Sequence, residues 1–229
     1  MMKLSVSTTK QEQYLGWFYF VFQMLILPDL ILIFAGLMGI QLSGTTLNLL
    51  FFIINFLCTA LIFRKFLQKS AKVTFEAPLR LLKAVGIGYA LYWFLNFLVV
   101  YFILMLTPQY QNANDANIQV MVHENFVPIA VGTILLAPVA EELVFRGLIF
   151  QGLHNRSRLL AYTVSSCAFC LVHLVNYIGY ISPLHFLIGF VQYLPAGIAF
   201  GYAYEKADSI YAPIVIHMIN NAIGIFAMR

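Results

Sequence analysis

The sequence predicts an all-α, polytopic transmembrane bundle of about seven spans, N-terminus inside and C-terminus outside. Three observations carry that reading. The 229 residues are 62% hydrophobic and only 10% charged, with 16% aromatic, whereas soluble domains are about 45–50% apolar and about 25% charged. The mean hydropathy is +0.85. Too few polar side chains exist to clothe a water-facing surface, which excludes a soluble globular domain, a disordered chain and a nucleic-acid binder. The apolar residues also fall in long segments, and the basic residues fall almost entirely between alternate segments.

A helix crossing a bilayer needs about 20 mostly apolar residues. Seven segments qualify or nearly so: 16–40, 47–63, 81–106, 126–153, 159–177, 183–204 and 209–228. Lys3 and Lys10 precede the first, in the manner of a signal peptide, but no A-x-A site follows, so an uncleaved span is expected. Pro28 and Asp29 either kink this span or divide it into two half-insertions. The second segment is short.

With the N-terminus inside, Lys3, Lys10, the stretch Arg64, Lys65, Lys69, Lys72, Arg80 and Lys83, then Arg146, Arg156, Arg158 and Lys206 all lie on or lead to the inner side. Those are twelve of the thirteen Lys and Arg; only Arg229 falls outside. This is the positive-inside pattern. The 64–83 stretch also has the composition of an anionic-lipid site, but it is read as the orientation signal. Cys167 and Cys170 have redox or zinc spacing without a second pair, and like Cys58 lie in apolar surroundings; they read as small buried hydrophobes.

Ionisable residues inside a span are expensive and point to function. The fourth segment holds Glu141, Glu142 and Arg146. Glu142 and Arg146 are four apart on one helical face and can pair, while Glu141 is turned about 100° away. Adjacent carboxylates in low dielectric do not both ionise cheaply, which is one way a carboxylate becomes a general base near neutral pH. The fifth segment carries Phe169 and His173, and the seventh carries His217 and Asn221, again at i,i+4. Counting rise along each helix puts Glu141, His217 and His173 at depths of about 18, 15 and 24 Å, deep in the membrane and alike only to within one or two turns.

E-E-x-x-x-R, F-x-x-x-H and H-x-x-x-N on successive helices resemble the CAAX protease and bacteriocin-processing family (CPBP, or Abi) of intramembrane endopeptidases, related to the Rce-type prenyl-protein proteases. The likeness runs from Pro138 to Asn221. It divides the chain into a helical preamble, residues 1–125, and a catalytic core, residues 126–229. It implies that Glu141 and His173 activate a water and that His217 and Asn221 steady the oxyanion. It further implies that Glu142 and Arg146 form a supporting pair and that Phe169 packs beneath His173. Glu141, His173 and His217 are also a zinc ligand set; H-E-x-x-H is absent and Asn221 suits an oxyanion better, so the expectation is a glutamate–histidine mechanism, with zinc as the alternative. Asn220 leaves a one-residue ambiguity, and His123, His154 and His185 fall outside the pattern.

The expected partners are the lipid bilayer and a hydrophobic peptide or membrane-protein substrate, such as a pheromone or bacteriocin precursor. The expected location is a bacterial plasma membrane, with the site opening to the cytoplasm. A proton-coupled transporter and a non-catalytic scaffold are the rivals; the former lacks the paired broken helices and inverted halves of that class.

Overall fold

Thr9 opens the first helix by a reciprocal cap: its hydroxyl accepts from Glu12 N–H while Glu12 accepts from Thr9 N–H. Helix α1, Lys10–Leu25, then breaks at Ile26 and α2, Leu27–Leu37, leaves at 59° to it. Pro28 sits in the first turn of α2, where a missing N–H is harmless, but in an unbroken helix its ring would strike the preceding turn. The first predicted span is therefore a bent pair. The computed structural model describes residues 4–229; Lys3, placed inside by the charge pattern, lies outside them.

Helix α3, Gly44–Ile62, starts at Ser43, whose hydroxyl accepts from Thr46 N–H. There follow α4, Arg64–Glu76, α5, Pro78–Leu106, α6, Ala113–Glu124, and α7, Phe126–His154. Last come α8, Arg158–Leu174, α9, Pro183–Ala207, and α10, Tyr211–Ala227. Among the described residues the only strand-like pairing is an isolated bridge between Ile178 and Ile181. The fold is thus a helical membrane bundle, with large apolar side chains such as Phe18, Phe94, Phe97 and Leu104 on its outer surface, as lipid requires.

The span count differs from seven as follows. Five helices are long and apolar enough to cross a membrane, and a sixth is the bent α1–α2 pair. The last, α10, has 17 residues, about 26 Å at 1.5 Å per residue, a little short of the hydrocarbon thickness of about 30 Å. The two longest loops also contain helices that the apolar pattern gave no reason to expect: α4 in the basic loop and α6 in the loop after α5.

Helix α7 is not regular. Gly132–Leu136 and Leu143–Phe150 wind as π-helix around an α-helical piece, Ala137–Glu142. The first π turn ends with Ala137 N–H bonded to Gly132 C=O, directly before Pro138, which has no N–H to give. Widened turns of this kind recur at functional sites.

Helix α9 lies along α5, α8 and α10. The approach is close because Gly88 faces Ala203, and a Cβ at Gly197 would come within 2.9 Å of the Ser166 Cα. Phe145, Phe169, Phe200, Ala203 and Ile216 fill one core between these helices.

At the end bearing α4, Glu205 is a shared acceptor. Arg158 reaches it at 2.7 Å, Tyr162 O–H at 2.9 Å, and His154 Nε2 is 3.1 Å away. His154, outside the family pattern, has this structural setting. Glu205→Ala should cost about 3 kcal/mol, because removing one partner of a largely buried cluster strands the others. Thermal unfolding in detergent checks this as a lowered midpoint.

Candidate active site

Glu142 and Arg146 are both fully buried, and Arg146 Nη1 donates to Glu142 Oε1 at 3.0 Å. The guanidinium also donates to the backbone carbonyls of Gly197 at 3.1 Å and Ala196 at 3.4 Å. Its faces are covered by Phe169 and Phe200, with ring centroids 5.0 and 5.4 Å from Cζ. The small residues at 196 and 197 let α9 come near enough for those carbonyls to be reached.

Glu142 Oε1 is used a second time. His217 Nδ1 lies 2.9 Å from it, so the ring nitrogen donates to the carboxylate and Nε2 points the other way. His173 is held similarly: its Nδ1 donates to Phe169 C=O at 2.8 Å. That bond makes Nε2 of a neutral His173 an acceptor.

Both Nε2 atoms converge on one oxygen. Glu141 Oε2 is 3.7 Å from His173 Nε2 and 3.9 Å from His217 Nε2. It is buried and has no hydrogen-bond partner, an unusual condition for a carboxylate oxygen. The three groups whose helical depths differed by up to 9 Å in the sequence count thus meet within 4 Å. Asn221 donates from Nδ2 to Thr133 C=O at 2.9 Å and faces the same cavity, as does Asn220. Phe169 lies against His173 with ring centroids 4.6 Å apart. His185 stands apart at the start of α9, bonded to Ser182 and stacked on Tyr110.

A cavity of about 460 Å³ contains Glu141, His173, His217 and Asn221 in its wall. The wall also takes in Asn114, Asp115, Asn117 and Met121 of α6, with Asn48 on α3, Trp93 on α5 and Met228 beyond α10. The basic loop contributes none of them. The cavity thus reaches toward the α6 end, whereas the sequence led to an expected opening on the side of the basic loops.

Sequence reading also missed the groups above His173. Tyr193 packs on its ring at 4.5 Å between centroids. Asn114 Nδ2 donates to the Tyr193 hydroxyl at 3.1 Å, and that hydroxyl lies 3.4 Å from both Asn112 Oδ1 and Asp115 Oδ1. Burial pushes the Asp115 carboxyl above the usual range, opposed by His173 and the Tyr193 hydroxyl. The run of amides from Asn112 to Asn117 was the available signal.

Among the described residues no set of three or more His, Cys, Asp or Glu is disposed to hold a metal ion. Glu141, His173 and His217 are not drawn in as a zinc set: their separations of 3.7 and 3.9 Å exceed the roughly 3.3 Å between ligands on a tetrahedral zinc.

Fold and site define a multi-pass helical membrane protein with a carboxylate–imidazole centre buried between its helices. Residues 123–223, a little under half of the chain, match the family model described as type II CAAX prenyl endopeptidase Rce1-like. The matched segment includes all three motifs, and the family implies a protease of the intramembrane CAAX type. No curated protein and no solved structure matches the chain.

Proposed function

We propose that the protein is an intramembrane endopeptidase that hydrolyses a peptide bond of a hydrophobic or membrane-associated peptide, with Glu141 as general base. The observation that carries this is the partnerless, buried Glu141 Oε2 facing two imidazoles at 3.7 and 3.9 Å. Two acceptors 3.7 Å apart are spanned by one water about 2.8 Å from each. Such a water gives one hydrogen to Glu141 and one to His173 Nε2, which leaves a lone pair free to attack the scissile carbonyl carbon.

As the water oxygen bonds to carbon, Glu141 takes its proton, and the carbonyl oxygen becomes an oxyanion. Asn221 has a second amide hydrogen beyond the one given to Thr133. His217 donates from Nε2 when its ring carries both protons, a cation that Glu142 holds at Nδ1. Glu141 then returns the proton to the leaving nitrogen as the C–N bond breaks. With His173 neutral, Glu141, Glu142, Arg146 and His217 sum to zero charge, which suits burial. Residues 126–229 supply the chemistry in this reading, and residues 1–125 supply helices that wall the cavity.

A plain aqueous peptidase has no need of this setting, so the substrate is taken to be a peptide precursor or membrane protein in a bacterial plasma membrane. Charge sorting puts the α6 end of the bundle outside, so the substrate is met from the outer face. A reporter fused in the 64–83 loop should therefore read cytoplasm and one in the 107–125 loop should read the exterior; the same side for both overturns the orientation.

The direct test is purified protein in liposomes mixed with hydrophobic peptide precursors and followed by mass spectrometry. Internal cleavage by the wild type, lost in His173→Ala at unchanged expression, is the expected result. Cleavage that persists in His173→Ala removes that residue from the water site.

A further inference from the structure

Cations are missing from the cavity wall. Its ionisable groups are Glu141, Asp115, His173 and His217, and no lysine or arginine lines it among the described residues. Arg146 is beneath the site, fully buried and committed to Glu142 and two carbonyls. The remaining polar lining is amide and phenol: Asn96, Asn114, Gln192 and Tyr193 among others. A free C-terminal carboxylate entering here would meet no positive side chain.

Asp115 is the group that this arrangement leaves unexplained. It is half-buried at the rim, and the ion pairs present among the described residues do not include it. Its hydrogen-bond support is one hydroxyl at 3.4 Å, shared with Asn112. A carboxylate withdrawn from water without a counter-charge is costly. Tyr193 joins it to the reaction centre, since one end of that side chain packs on His173 and the other reaches Asp115. The carboxylate is thus one tyrosine length from the attacking water, within reach of a long side chain one or two residues from the scissile bond.

We propose that Asp115 is a specificity-determining residue that pairs with a lysine or arginine of the substrate close to the cleaved bond. The inference rests on the endopeptidase reading for its meaning, but the pairing is measurable without turnover. Substrates are then hydrophobic peptides carrying a cationic residue beside the cleavage point. The Tyr193 hydroxyl reaches only Oδ1 of Asp115, and Oδ2 accepts no side-chain hydrogen bond among the described residues.

The test uses Glu141→Gln protein in phosphatidylcholine nanodiscs, which binds but does not cut. The probes are fluorescent peptides with one apolar segment, in which lysine, glutamine or glutamate is moved through five successive flanking positions. At one or two adjacent positions lysine should bind roughly tenfold more tightly than glutamine, as for a partly buried ion pair, and glutamate more weakly than glutamine. Adding Asp115→Asn should bring the lysine-to-glutamine ratio to about one, and adding Asp115→Glu should keep it. Equal binding of the three peptide series at every position, or a lysine preference surviving Asp115→Asn, overturns the assignment; the peptide comparison alone decides it if a variant does not fold. A wild type that prefers lysine through Asp115 yet leaves all peptides uncut sinks the endopeptidase reading instead.

Discussion

Glu141→Gln is expected to lower cleavage by about 10²–10⁴-fold, the usual loss when a general base is removed, while leaving the protein folded. The substitution keeps the size and one acceptor oxygen. It removes a charge that no hydrogen bond depends on, since Glu141 Oε2 is without a partner and neither imidazole is within hydrogen-bond distance. Initial rates against a cleaved peptide, set beside thermal midpoints in the same detergent, check both halves of the expectation. A wild-type rate in Glu141→Gln removes Glu141 from the role of base.

Its neighbour should behave differently. Glu142→Gln takes the negative charge from a carboxylate that faces a fully buried arginine at 3.0 Å and a buried histidine at 2.9 Å. Breaking a buried pair from one side costs about 3–5 kcal/mol, so this variant should lose stability and activity together. The double variant Glu142→Gln, Arg146→Met removes the stranded charge and replaces it with an apolar side chain of similar length among Phe169 and Phe200. It should recover much of the melting midpoint and none of the cleavage, because His217 still lacks its anion. Recovery of neither would show that the carbonyl bonds from Arg146 to α9, not the charge, hold the site together.

The residues that meet at the centre were legible because charge in an apolar helix is conspicuous and because i,i+4 spacing fixes a common face. Glu142 with Arg146 needs nothing else. The convergence of Glu141 with His173 was not legible from depth. Uniform rise along straight helices put them a turn or more apart, whereas α7 carries two π-wound stretches that no hydrophobic period reveals. Asp115 and Tyr193 were hidden for another reason: α6 is neither apolar nor amphipathic enough to announce itself, and its importance comes from hydrogen bonds to Tyr193 of α9, far away in sequence. The break at Ile26 was visible in Pro28, but its direction was not.

The pairing of Glu142 with Arg146 along a single helix also bears on biogenesis. During synthesis α7 reaches the membrane about fifty residues before the carbonyls of Ala196 and Gly197 exist to receive the guanidinium. A lone charge at the middle of an inserting helix costs about 2.5–3.5 kcal/mol. Because the partner lies one turn away on the same segment, the two charges can enter lipid as a neutral unit with no help from later helices. Docking of α9 and α10 then exchanges this self-contained pair for the full network, so assembly of the centre is postponed to the last stage of folding without leaving Arg146 bare in lipid on the way.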